Sequence, residues 1–453
     1  MEADDLLARH EGKTLEFKRD ASSPGPLLRT LSAFSNTAGG TLVLGVKDRS
    51  RQVIGVKHPL DLEERIMNLA SDGIRPQILP EVEVLPCRGK SLVAVTVFPG
   101  PLRPYYVRTL GREKGSYVRL GSTNRPATPE ILAELERAAR NVSYDEQGLP
   151  HLERDAIDFE LAQTRFQGRR RLRREDLHSL GLVQREGRRE IATVGGILLF
   201  GRDRLREFPD ARIRLAAFAG PDRSSILDRM DPSEDLIQSI EDALQFIGRN
   251  TATGMVVEGS TRRDVPAFPP IALREAVVNA VVHADYSQTG SPTRVAVFAD
   301  RIEIENPGPL PFGVTLREVR RGISKLRNRV LGRVFHELGL IENWGSGIDR
   351  MTRACEDMGL PSPELEELGT TFRVTLRAKR RGPPRERSGT PGRILKLLTD
   401  GAALSTSAMA EALGLTPRTV RKHVRRLLED GRIAEIGMSR TDPGRVYRIV
   451  RPE

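Results

Sequence analysis

The chain has 453 residues, 38% of them hydrophobic and 29% charged, and a formal net charge of +11. That length is too great for one core and suggests roughly three domains of about 150 residues, while the apolar share excludes global disorder. No run comes near the about eighteen apolar residues of a membrane span, and the two cysteines, Cys87 and Cys355, stand too far apart in sequence for a disulfide framework or a metal knuckle. The opening "MEADDLLARHEGKTLEFKRD" is charged throughout and lacks the apolar core of a signal peptide, so a reducing, cytoplasmic setting is expected.

In chain order, "GPLLRTLSAFSNTAGG" (25–40) reads as a helix ended by glycine, and "TLVLGV" (41–46) and "SLVAVTVF" (91–98) read as strands. "TPEILAELERAARN" (128–141) predicts a helix with Thr128 as cap and Pro129 in its first turn. Residues 150–215 predict a basic helical stretch, "RFQGRRRLRREDLHSLGLV", followed by the strand-like "TVGGILLFG" and "ARIRLAAFAG". A long helix is predicted over "PSEDLIQSIEDALQFIGRN", ahead of the helical "LREAVVNAVVHADY" (273–286) and of "TRVAVFADRIEIENPGPLP". "AKRRGPPRERSGTPG" (378–392) is dominated by Pro, Gly and Arg and reads as a linker. From Lys379 onward 17 Lys and Arg face 8 Asp and Glu, so the tail carries +9 and the rest of the chain only +2. A near-neutral body with a basic tail points to a polyanionic partner, and nucleic acid is the obvious one.

The segments "EGKTLEFKRD", "LSAFSNTAGGTLVLGVKDRSRQVIGV" and "GSYVRLGSTNRPATPEI" resemble a Schlafen-type AlbA-like domain over roughly residues 5–135. Some members of the wider Schlafen group are nucleases that use two Glu and one Asp. The corresponding candidates here are Glu11, Glu16 and Asp48, which could hold a divalent metal that activates water against a phosphodiester. Lys47 stands where a second acid often precedes that Asp. The plainer alternative is that Glu16 and Lys18 pair on a strand while Asp48 ends one in a turn. RNA or DNA is the partner expected for this domain, with Lys18, Arg19, Arg108, Arg119 and Arg125 as candidate phosphate contacts.

Glu275 and Asn279 lie four residues apart, on one face of an Ala- and Val-rich helix, where neither belongs without a polar partner. "REAVVNAVVHADY" resembles the first box of the gyrase, heat-shock ATPase, histidine-kinase and MutL class of ATPases (GHKL type). The resemblance implies that Asn279 completes a Mg²⁺ shell on ATP and that Glu275 orients the attacking water. It also implies nucleotide contacts from Asp285 in "HADY", from Asn306 and Gly308 in "ENPGPLP", and from Gly345 and Gly347 in "ENWGSGIDRM". Asn306 stands where the class has an Asp that reads the adenine amino group, and Ala284 where the module has an Arg. The stretch between, "FGVTLREVRRGISKLRNRVLGRVFHELGLIE", has the size of a lid. The span 271–351 resembles the divergent ATP-binding module joined to AlbA-like domains in bacterial regulators often described as helicase-related. No "GxxxxGK[ST]" phosphate loop of a helicase motor appears.

In the tail, "RILKLLTDGAALSTSAMAEALGLTPRTVRKHVRRLLEDGRIAEIGMSRTDPGRVYRIV" reads as a winged helix-turn-helix, with Gly414-Leu415-Thr416 as the turn and Pro417 opening the recognition helix. Val420, Val424, Leu427 and Leu428 form its apolar face, leaving Arg418, Thr419, Arg421, Lys422 and Arg425 to face duplex DNA, with Arg440 in the wing.

The expected architecture is thus an α+β multidomain chain. An AlbA-like α+β domain covers 1–142, and a connecting helical and strand segment covers 143–270. A GHKL-type α/β-sandwich ATP-binding module (271–377), a linker (378–392) and a winged helix (393–453) follow. The expected function is an ATP-binding, DNA-binding transcriptional regulator that hydrolyses ATP slowly or not at all and acts as a possible homodimer. A metal-dependent nuclease and a non-catalytic nucleic-acid-binding scaffold are the alternatives.

Overall fold

In the computed structural model, residues 2–47, 50–232, 235–251, 253–258, 261–342, 346–378, 390–398, 403–436 and 445–449 are described. The near-continuous apolar run Gly40–Leu44 becomes one of the two inner strands of the first sheet, with both its faces covered. It runs parallel to Leu15–Lys18 and antiparallel to Lys90–Val97, which pairs in turn with Glu81–Cys87. Leu27, Leu31 and Phe34 of helix Pro24–Asn36 and Ile66 and Ala70 of helix Pro59–Gly73 cover one face. Leu6, Leu15, Phe17, Val43 and Leu92 fill the other. Strand alternation therefore turns Glu16 towards the helix side, opposite its neighbours Leu15 and Phe17. Helix Pro129–Ala139 begins with the Thr128 hydroxyl accepting from the Ile131 amide, 3.4 Å away.

A six-stranded mixed sheet organises the middle of the chain. Its order is Ile226–Met230, Ile213–Phe218, Thr293–Val297, Arg301–Pro307, Thr371–Arg377, Glu364–Leu368. Only Ile213–Phe218 and Thr293–Val297 are parallel, as their separation by two helices allows. Two of these strands come from the 143–270 segment, which is therefore part of the module and not a connection to it. One core runs from Ile157 to Leu376 and includes helices Leu236–Asn250, Pro270–Val282, Arg329–Glu337 and Gly347–Asp357. Helix Pro270–Val282 is apolar nearly all round because other elements enclose it: Ala272, Ala276, Val277, Val278, Ala280 and Val281 are all buried.

Two elements differ from the sequence reading. "TVGGILLFG" is not a strand but the helix Val194–Phe200, capped by the Thr193 hydroxyl on the Gly196 amide at 3.0 Å. A short apolar run has no periodicity to separate strand from buried helix. Its glycines serve packing, since a Cβ on Gly196 would lie 2.2 Å from the Leu182 carbonyl oxygen. The basic stretch after Arg165 is also not a continuous helix. Helix Phe159–Phe166 stops before Gly168, whose φ of +83° breaks the turn, and only Asp176–Ser179 is helical before the hairpin Val183–Glu186/Arg189–Thr193. The hairpin's second strand pairs with Gly148–Glu153 to make a three-stranded sheet.

Residues 1–379 form one compact unit and 380–453 a second. In the second, helices Thr390–Leu398, Thr406–Leu413 and Pro417–Glu429 enclose Ile394, Leu398, Met409, Leu413, Val420 and Val424. Gly414 adopts the left-handed conformation (φ +64°) that ends one helix and turns the chain into the next. The antiparallel strands Ile433–Ile436 and Val446–Ile449 form the wing, and Leu404 bridges to Tyr447. Among the described residues, no helix is long and apolar enough to cross a membrane.

Candidate functional site

The i, i+4 spacing places Glu275 and Asn279 on the face of helix Pro270–Val282 that meets helix Gly347–Asp357. The approach is close: a Cβ on Gly347 would lie 2.6 Å from Glu275 Oε2 and 3.3 Å from Asn279 Nδ2. Both residues and Gly347 line a cavity of about 490 Å³. Glu275 is 6% exposed, and its Oε1 forms an ion pair with Arg350 Nη2 at 2.8 Å. Burial raises the Glu275 pKa, and the Arg350 guanidinium opposes that rise. Arg350 in turn reaches Glu342 at 2.5 Å. Among the described residues the half-buried Asn279 side chain has no hydrogen-bond partner.

Asn306 and Gly308 also line the cavity. The Asn306 NH₂ group donates to the Pro307 carbonyl at 3.0 Å, which leaves its amide oxygen as an acceptor. Gly308, at φ +93°, passes so close to Asp285 that a Cβ would lie 2.8 Å from the Asp285 Cβ. Asp285 itself is not part of the cavity wall: its carboxylate accepts from the Ser287 hydroxyl (2.6 Å) and amide (3.1 Å) and from Gln288 (3.1 Å), and lies 3.6 Å from Arg327. His283 does line the cavity, and burial with the nearby Arg327 charge pushes its pKa down to about 4, so the ring is neutral. Gly345 lies outside the described residues.

Residues 309–328 roof the cavity through Val314, Val319, Ile323 and Leu326, with Lys325 adding a cation. Arg329, immediately after them, adds a second. The roof is fastened to the N-terminal domain. Phe312 packs among Val118, Ala127 and Leu135, Arg327 Nη1 meets Glu134 at 2.6 Å, and Arg327 Nη2 donates to the Pro309 carbonyl. Glu367 accepts from both the Leu310 amide (2.9 Å) and Lys13 (2.7 Å). The sequence reading named neither Arg350 nor Lys325. Arg350 was within reach of it, since the i, i+3 spacing from Gly347 puts both on one helix face.

The acids of the N-terminal domain stand differently. Glu16 is buried, ion-paired with Arg119 and with Lys18 (2.5 Å), and accepts from Thr30 (3.2 Å) and Asn124 (3.4 Å). Arg119 is buried as well, so phosphate is not what its guanidinium meets. Glu11 is exposed and accepts the Phe17 amide at 2.8 Å, and Asp48 lies outside the described residues. Among the described residues, no three His, Cys, Asp or Glu side chains gather where a metal could sit.

In the second unit, Arg418, Arg421, Lys422 and Arg425 of helix Pro417–Glu429 are exposed, opposite buried Val420, Val424 and Leu427. Thr419 is partly committed locally, 2.9 Å from the capping Thr416 hydroxyl. Arg440 lies outside the described residues.

Comparison with known families agrees with this order of parts. Residues 11–128 match the Schlafen AlbA_2 family, and residues 290–376 match a family described as putative ATP-dependent DNA helicase recG C-terminal. Residues 387–434 match the winged helix-turn-helix DNA-binding family. The chain therefore carries an AlbA_2 domain, a RecG C-terminal ATPase-like domain and a winged helix, in that order. The second match begins after helix Pro270–Val282, so Glu275 and Asn279 rest on their geometry. Among solved structures, the DIP2311 protein of Corynebacterium diphtheriae is 22% identical, covering 99% of this chain and 96% of that one, with a TM-score of 0.45. The N-terminal domain of a putative ATP-dependent DNA helicase RecG-related protein from Nitrosomonas europaea is 25% identical, covering 28% of this chain and 94% of that one, with a TM-score of 0.23. No curated protein matches the chain.

Proposed function

We propose that this chain is a DNA-binding transcriptional regulator whose middle domain, of GHKL type, binds ATP with Mg²⁺ in the 490 Å³ cavity. The observation that carries the reading is the convergence of Glu275, Asn279 and Gly347 on that cavity. An amide oxygen is a suitable hard ligand, and Asn279, without a side-chain hydrogen-bond partner among the described residues, fits the role of holding the ion. The ion, when bound, neutralises triphosphate charge. Glu275 is placed to orient a water, and its burial makes it a stronger base than an exposed carboxylate. Lys325 and Arg329 supply positive charge in the cavity wall. The Asn306 amide oxygen suits a base that carries an exocyclic amine, with a weaker, uncharged hydrogen bond than an Asp would give.

The winged helix supplies DNA contact through Arg418, Arg421, Lys422 and Arg425, with base edges read near the start of the helix. Nucleotide beneath the 309–328 roof would alter how the chain engages DNA. Calorimetry of the full chain with ATP, with and without Mg²⁺, tests the reading. Wild type should bind Mg·ATP, and Asn279→Ala should lose the Mg²⁺-dependent part of the affinity. Equal binding by both, or none by wild type, overturns it.

A further inference from the structure

The arginine-rich segment 163–189 is not used by the nucleotide cavity or by the tail domain. It holds nine arginines against three acids. Several are committed: Arg165 pairs with Asp235 at 2.6 Å, Arg170 with Glu337 at 2.8 Å, and Arg189 with Glu153 at 2.9 Å. Arg169, Arg171, Arg173, Arg185 and Arg188 are exposed and, among the described residues, make no ion pair. They occur in two places, the loop after helix Phe159–Phe166 and the hairpin turn around Gly187, on either side of the short helix Asp176–Ser179. His178 of that helix meets Glu190 at the hairpin's second strand, 2.7 Å away, so helix and hairpin are in contact. Both turns stand clear, since a Cβ on Gly168 or on Gly187 would meet nothing within 4 Å.

The order of elements matters as much as the charge. A first strand, a helix, a second helix and a hairpin follow one another, and the first strand pairs with the last strand of the hairpin. The C-terminal unit has this connectivity too: Leu404 bridges to Tyr447 on the last wing strand, with two helices between. In the middle domain, however, the second helix is four residues long, against thirteen in the tail. Four residues make barely one turn and cannot lie along a major groove.

We infer that residues 148–193 are a reduced winged helix that holds the phosphate backbone of duplex DNA through the 169–173 loop and the 185–188 wing tip, without reading bases. Guanidinium groups on loops meet phosphates wherever the duplex presents them, so this contact is independent of sequence, whereas the tail's recognition helix can be selective. It does not depend on nucleotide binding in the cavity.

The test uses the full chain, because this element shares its core with the middle domain. Arg171, Arg173, Arg185 and Arg188 are changed together to Ala, and separately together to Lys. Affinity for two unrelated DNA duplexes is measured by fluorescence anisotropy across a salt series. Each phosphate left without its arginine lowers the slope of log K against log salt by about 0.9, so the Ala variant should lose about 3–4 from the slope. It should bind both duplexes at least about tenfold more weakly at about 0.15 M salt, and the Lys variant should keep most of the slope. An unchanged slope in the Ala variant overturns the inference. Equal loss in the Ala and Lys variants, or loss confined to one duplex or seen only with single-stranded RNA, overturns it too.

Discussion

A single methyl group at Gly347 should disturb both packing and chemistry. A Cβ there would lie 2.6 Å from Glu275 Oε2, where ordinary contact begins near 3.4 Å, so the carboxylate must retreat by about 0.8 Å. It cannot do so freely, because its other oxygen is held at 2.8 Å by Arg350, on the same helix as Gly347. Either the ion pair stretches or the two helices separate, and overpacking of this kind costs about 1–3 kcal/mol. For a domain of this size that lowers the melting temperature by about 2–10 °C. If Glu275 positions water, a shift approaching 1 Å should also lower ATP turnover by roughly 10- to 100-fold. Gly347→Ala in the full chain, followed by differential scanning fluorimetry and a phosphate-release assay, measures both. A variant with unchanged melting and unchanged turnover refutes the close approach and the role of Glu275 together. A lowered melting temperature with normal turnover leaves the packing correct and the catalytic role wrong.

Glu275→Gln should bind Mg·ATP but turn it over roughly 10²–10⁴-fold more slowly, the span for loss of a general base; equal rates assign Glu275 a structural role. His283 is held neutral, with a pKa of about 4 against 6.5 for a free histidine. Because that folded value is depressed, its contribution to stability is complete above pH 6.5 and is lost as pH falls towards 4. His283→Gln should therefore flatten the stability–pH curve in that window by roughly 3 kcal/mol, read from denaturant unfolding at a series of pH values. Arg421→Ala with Arg425→Ala should lower the salt slope of duplex binding by about 2 without unfolding the tail domain, since both side chains are exposed. Unchanged binding would remove helix Pro417–Glu429 from the DNA interface.

Much of this was legible in the residues because local signals agreed with burial. Thr128 and Pro129 start their helix where capping chemistry places it, and the Gly414 turn with Pro417 fixes the tail's two helices. The Glu275–Asn279 spacing disclosed a polar face, and the i, i+3 spacing set Arg350 on the face of Gly347, but neither disclosed that Arg350 meets Glu275, because that contact joins helices far apart in sequence. The same limit hid the surroundings of Glu16. Its place beside Lys18 suggested a pair, whereas Arg119, over a hundred residues away, completes the burial of its charge. Strands Ile213–Phe218 and Ile226–Met230 looked like parts of a connection because sheet order follows long-range pairing, which apolar patterning does not encode.

The fastening of the cavity roof to the N-terminal domain makes the two domains thermodynamically reciprocal. Phe312 among Val118, Ala127 and Leu135, with Arg327 on Glu134, ties residues 309–328 to a neighbour that lines none of the cavity. A ligand that needs the roof displaced must break those contacts first, and its apparent affinity is weakened by the fraction of molecules in which they stay closed. Whatever loosens helix Pro129–Ala139 from the N-terminal side raises that affinity by the same factor by which the ligand favours the loosened helix. For such a ligand, the contacts of Phe312 and Arg327 with the N-terminal domain would set the concentration needed to fill the cavity.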